Sequence, residues 1–207
     1  MRDNSDIVNS ETEGGSNMPP SNDSLAVVFE GWVGYRQSII HAVAPLMAEQ
    51  LLWRPAAHLR STGELVRHIA LGPIAWFLRM DAPGSRALAG RVADWEEDPH
   101  GNQYVIEAAI DIADQAGELV EWLDASGKMI ADTLRLWTVA DLQKTYRHTW
   151  NGNTYAISRQ WTLWRILAHD LHHGGELAML LGMQGLENFE LGHLGGHIDL
   201  PPLADSA

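Results

Sequence analysis

Ala168-His169-Asp170-Leu171-His172-His173-Gly174-Gly175-Glu176-Leu177 lies inside a longer run that reads as one helix. Ser158 is its expected N-cap and Gly182 the residue just past its end. His169 and His173 stand four residues apart, and a helix places such a pair on one face, one above the other. Two imidazoles on one face are either half of a transition-metal site, with nitrogens about 2.0–2.1 Å from the ion, or hydrogen-bonded helix histidines. Glu176 lies close to the same face. Its carboxylate could orient a ligand, bind the ion itself, serve as general base towards an activated water, or simply be solvated. His172 points about 100° away from His173 and receives no ligand role. Asp170, equally turned from His169, reads as an acceptor for a ligand imidazole of a neighbouring helix or as a surface or interhelix pair.

Upstream of this run, Tyr146, Thr149, Trp150, Thr154 and Tyr155 flank Asn151-Gly152, the strongest two-residue hairpin signal. Before the hairpin comes an Ala-rich, acidic, amphipathic segment, expected to be helical over 104–136 with a weak point at Gly127. Residues 81–102, rich in Asp, Pro and Gly, read as a long loop and a candidate lid or partner surface. Ser61-Thr62-Gly63-Glu64 has the form of a capping box and starts a helix that carries Leu65, Ile69, Ile74 and Phe77 to about Met80, with Gly72-Pro73 expected to bend it. Leu51-Leu52-Trp53-Arg54-Pro55 reads as a short connection. Ahead of it, Leu25, Val28, Phe29, Trp32, Ile39, Ile40 and Val43 form one apolar stripe of a helix that ends near Pro45. The expected fold is all-α: a four-helix bundle with a small β-hairpin before the last helix and irregular N- and C-terminal tails. The domain spans 24–185, residues 1–23 form a disordered tail, and residues 186–207 an irregular one.

Composition limits the function. The chain has 207 residues, enough for one core, and 14 Lys and Arg against 27 Asp and Glu, a formal charge of −13. That field repels phosphate backbones and anionic lipid heads, which argues against nucleic acid and membrane partners. There is no cysteine, so a metal would depend on His and carboxylate ligands. The absence of a long apolar run and of a signal-peptide pattern leads to the expectation of a soluble, cytoplasmic protein.

In a bundle, metal sites are assembled from facing helices, and the missing ligand must come from a second one. His68, flanked by Leu65, Ile69 and Leu71, is the candidate; the alternative is a satisfied core histidine. Leu65-Val66-Arg67-His68-Ile69-Ala70, followed far downstream by His169-Asp170-Leu171-His172-His173-Gly174-Gly175-Glu176, resembles the DinB-like superfamily of four-helix metalloproteins. The likeness covers roughly residues 25–185, including Trp53-Arg54-Pro55 and the hairpin before the last helix. It implies a divalent ion, zinc or nickel, held by His68, His169 and His173 with a position left open, as in catalytic zinc centres. Glu176 departs from the family pattern, where Gln is common. The resemblance further implies a homodimer acting on a small-molecule substrate as an S-transferase that uses a low-molecular-weight thiol, with metal-assisted hydrolysis through bound water left open. The alternative is a non-catalytic, stress-associated metal- or ligand-binding protein, favoured if Glu176 closes the coordination shell. Four-spaced His193 and His197 sit among glycines that oppose a helix, so they read as structural coil. The pairs Glu97 with His100 and Glu190 with His193 fall in loops, which argues against a di-iron centre. Trp32, Trp76, Trp161 and Trp164 read as core, with one or two available to line a pocket over the metal.

Overall fold

Four long helices and two short ones carry the computed structural model, which describes residues 23–186: α1 (Ala26–Val43), α2 (Ala48–Leu52), α3 (Thr62–Arg79), α4 (Ser85–Ala89), α5 (Ala116–Leu136) and α6 (Arg159–Met183). α5 packs against α1 and α3, and α6 packs against α3 and touches α1, so the long helices close a ring around one core. The expected tails beyond the described residues, with Glu190, His193 and His197, are outside this description. No helix of the described residues is long and apolar enough to cross a membrane.

Local chemistry sets the helix ends. Ser61 Oγ accepts from the Glu64 amide while the Glu64 carboxylate accepts from the Ser61 amide, so the capping box forms. Arg54 donates to the same carboxylate and to the Leu59 carbonyl, and the Thr62 amide bonds the Trp53 carbonyl; Trp53-Arg54-Pro55 is thereby fastened to the start of α3. α3 then continues through Gly72-Pro73 to Arg79. Ser158 caps α6 by accepting from the Trp161 amide. The far end of α6 lies later than expected: Gly182 is helical, and the left-handed residue after the helix is Gly185, at φ +70°.

Along α5, Leu119, Leu123, Ile130 and Leu134 repeat at helical spacing, and each is fully buried. Each such side chain contributes about 1.5–3 kcal/mol by leaving water. In α1 the stripe holds for Leu25, Trp32, Ile39, Ile40 and Val43, whereas Val28 faces solvent, because the backbone departs from helical angles at Phe29. Arg36 and Asp170 bring charge into the buried interior. Arg36 of α1 donates to Asp170 of α6 at 2.7 Å and to Ser126 of α5 at 2.6 Å, and Trp32 Nε1 donates to Asp170 at 2.8 Å. Three helices are thus tied at one charged point.

The segment between α3 and α5 differs most from expectation. Residues 104–115 hold no α-helix: β2 (Gln103–Val105) pairs antiparallel with β1 (Trp95–Glu97), and a single 3-10 turn follows at Glu107–Ala109. Tyr104, Val105 and Ile106 favour extended backbone, and Asp98 closes the turn by accepting from the His100 and Asn102 amides. The chain then crosses α3 so closely that a Cβ on Gly63 would overlap the Ala113 carbonyl oxygen. The expected loop 81–102 therefore contains α4 and β1, and the start of the expected helix supplies β2 and lays Tyr104, Val105 and Glu107 beside α3.

β3 (Thr145–Trp150) and β4 (Asn153–Ser158) form the second hairpin, with Asn151 and Gly152 both at positive φ as their two-residue turn requires. Its inward residue His148 is 1% exposed, and its ring packs 5.3 Å from Trp76 and 4.4 Å from Trp150. Neither ring nitrogen has a hydrogen-bond partner among the described residues. Burial, aided by the nearby Arg79 charge, pushes the His148 pKa down. The folded state keeps this ring neutral, while the unfolded chain takes up a proton below about pH 6.5; stability therefore falls as pH drops from there towards the lowered pKa. His148→Phe is expected to raise stability by about 1 kcal/mol and to flatten the pH dependence of Tm between about pH 7 and 5.5. Thermal melts at several pH values check this, and a destabilised variant would count against it.

Candidate metal centre

His68 projects from α3 and His169 and His173 from α6, and the packing of these two helices brings the three rings together. Ring centroids lie 4.7 Å apart for His68 with each partner and 4.5 Å apart within the α6 pair. One nitrogen from each ring lies within 4.8 Å of the others, and His68 Nε2 and His169 Nε2 are 3.0 Å apart. Gly72, one turn beyond His68, makes this approach possible. A Cβ there would sit 3.1 Å from His169 Cε1 and 3.3 Å from its Nε2. The four-residue spacing of His68 and Gly72 was the available sequence signal for it.

Every Nδ1 of the trio faces a carboxylate. His68 Nδ1 lies 2.8 and 2.9 Å from the two Glu107 oxygens, His173 Nδ1 2.7 Å from Glu176, and His169 Nδ1 3.4 Å from Asp170. Such partners fix the proton on Nδ1 and leave Nε2 with its lone pair, the arrangement found behind metal-ligating histidines. Two facing imidazole nitrogens at 3.0 Å then need a shared proton or a metal ion between them. The donor set therefore fits a divalent transition metal.

The electrostatics agree. Burial pushes the His173 pKa down, and the neighbouring His169 and His68 add to this against the opposing pull of Glu176, so the ring favours its neutral, ligating form. Burial alone would raise Glu107 and Glu176, but their bonds with His68 and His173 hold both below the usual range. Asp170 is fully buried, yet Arg36 keeps it ionised. Of the two readings open for Asp170, the interhelix pair is the principal one, with only the long contact to its neighbour His169. Glu176 contacts His173 Nδ1 and, at 3.2 Å, His172 Nε2. Sequence reasoning missed both Glu107 and Arg36, and only Arg36 carried a signal, as a charge on an apolar face. Glu107 falls where a helix was expected, and Arg36 stands in an otherwise apolar stripe.

The trio lies in the wall of a cavity of about 670 Å³, bounded also by Trp76, Tyr104, Trp161 and Trp164. Trp32 and Trp76 are buried as expected of core residues, but Trp161 and Trp164 are 41% and 65% exposed and serve the cavity instead.

The sequence model of the DinB superfamily matches residues 33–177, which span all four long helices in whole or in part and all three histidines. The chain belongs to the DinB superfamily. A DinB-like protein from Bacillus cereus ATCC 10987 shares the fold with a TM-score of 0.57 at 15% identity, over 82% of this chain and 99% of that one. No curated protein matches the chain. Within this DinB-superfamily fold, Glu107→Gln is expected to leave the helices intact and to weaken metal affinity about 10-fold or more, because the His68 ring loses its charged partner. Competition against a chromophoric chelator measures this, and an unchanged affinity would show that Glu107 does not support His68 as a ligand.

Proposed function

We propose that this protein is a divalent-metal-dependent enzyme that joins a small thiol to an electrophilic small molecule, with His68, His169 and His173 holding zinc or nickel through Nε2. The observation that supports this most is the engagement of Glu176: its oxygens lie on His173 Nδ1 and His172 Nε2, so it orients a ligand and does not complete the shell. With three protein ligands in the wall of an open cavity, the centre has the form of a catalytic site more than of a closed storage site. The bound ion would supply Lewis acidity that keeps a thiol ionised near neutral pH.

The chain's own groups do the rest. It has no cysteine, so the sulfur nucleophile must arrive on a small molecule. Trp76, Tyr104 and Trp161 pack around an apolar substrate body and exclude water from it. Glu107 and Glu176 hold the His68 and His173 rings in orientation and tautomer. The test is metal analysis of the purified protein, followed by an assay of small thiols with 1-chloro-2,4-dinitrobenzene, with and without added Zn²⁺ or Ni²⁺. One ion per chain and thiol-dependent turnover abolished by EDTA are expected. No turnover with any thiol by the loaded protein would overturn the transferase reading, and no stoichiometric metal would overturn the whole of it.

A further inference from the structure

Trp161, Arg165, His169 and His173 follow one another at four-residue intervals on α6, so they form a single inclined row. Each interval is about 6 Å along the helix axis. Arg165 therefore stands one turn from His169, and it lines the same cavity as the three histidines. Its guanidinium rests on the rings of Trp76, Trp161 and Trp150, at 4.8, 5.5 and 5.9 Å from their centroids. Among the described residues it has no carboxylate partner and no hydrogen bond, whereas Arg36, Arg54, Arg86 and Arg159 all meet one. What sets it apart from the other arginines without an acid is its place: it is the arginine in the cavity wall that also holds the three histidines. The other permanently charged group of the cavity wall is Glu107, whose two oxygens are both taken by His68 Nδ1.

Stacking on indoles occupies the faces of a guanidinium and leaves its edge donors free, the geometry that receives a carboxylate as a two-pronged hydrogen bond. The negative charge of the whole chain does not oppose this at short range, because it is screened over about 8–10 Å in physiological salt. Among the described residues no second Lys or Arg lines the cavity, so Arg165 alone can meet one negative charge of a ligand and not a phosphate dianion.

We propose that the cavity takes a small molecule carrying a carboxylate on an apolar or aromatic body, with Arg165 binding the carboxylate one helical turn from the three-histidine centre. Trp76 and Trp161 receive the body, and the ligand's other end then lies towards His169 and His173. As a substrate class this rests on the function proposed above, but the carboxylate contact itself needs no metal.

The test titrates the full chain, metal-free and zinc-loaded, with 3-phenylpropanoate, its uncharged amide and phenyl phosphate, reading tryptophan fluorescence. The acid is expected to bind about 10-fold or more tightly than the amide, with or without zinc, as a charge-assisted bond predicts. Arg165→Gln should bring the acid down to the level of the amide, and Arg165→Lys should retain part of the difference. Equal binding of acid and amide, binding of neither, a preference that survives Arg165→Gln, or tighter binding of phenyl phosphate would each overturn the proposal. So would a preference that disappears on removing zinc, since the ion would then be the carboxylate's partner. Zinc stoichiometry on the same samples reports separately on the metal reading: a protein that takes no zinc yet keeps the acid preference loses that reading and keeps this site.

Discussion

His169→Ala is expected to lose stoichiometric metal, with affinity lowered at least about 100-fold, since losing a partner behind a ligand already costs about 10–100-fold. His169 is the ring most closely opposed to His68, at 3.0 Å between Nε2 atoms, so its removal leaves two nitrogens that no longer enclose an ion. The substitution should barely affect stability. The ring is partly exposed, and the cavity beside it is already open. Elemental analysis after dialysis reads the metal, and circular dichroism shows whether the bundle survives. Full retention of one ion per chain would mean that the trio is not the ligand set.

Asp170→Asn, one residue along, should act in the opposite way and destabilise the fold by about 3–5 kcal/mol, because it leaves the buried Arg36 guanidinium without its counter-charge. Arg36 and Asp170 are 2% and 0% exposed, so solvent cannot take over that role. A loss of this size lowers Tm by about 10 °C or more in a domain of this length. The pH dependence carries the same signature. Arg36 keeps the Asp170 carboxyl below its ordinary pKa, so its contribution is complete above the unfolded value near 4 and is lost as pH falls through the lowered folded value. Denaturant melts compared at pH 7 and in acid should therefore show the variant's deficit shrinking as the wild type loses the same interaction. A variant as stable as the wild type at pH 7 would remove this pair as a structural anchor.

These neighbours on α6 illustrate what could be read from the chain. His169 and His173 were legible because four-residue spacing on a helix settles their shared face whatever surrounds it. The capping box at Ser61 and the Asn151-Gly152 turn were legible for the same reason: donor, acceptor and backbone angle all lie within a few residues. The segment 104–115 misled because its Ala and acidic residues suit a helix in isolation, whereas pairing of β2 with β1 and the close crossing at Gly63 hold it extended. Gly182 misled because a second glycine, Gly185, stands three residues further on, and the burial of Leu180 and Leu181 carries the helix to Met183 before that turn.

By itself, then, the sequence determined the four long amphipathic segments, the hairpin before the last of them, and a histidine pair with a third candidate on another helix. All of these rest on interactions within about one or two helical turns or on a single turn of backbone. Only the tertiary structure decided what stands behind and around that trio. His68 meets Glu107 across 39 residues, His169 meets His68 across 101, and Asp170 meets Arg36 across 134. No local periodicity encodes such partners, because which carboxylate compensates which cation depends on how the helices pack. The same packing left Arg165 on a bed of indoles beside the histidines, in the wall of the cavity and with no acid among the described residues to meet it.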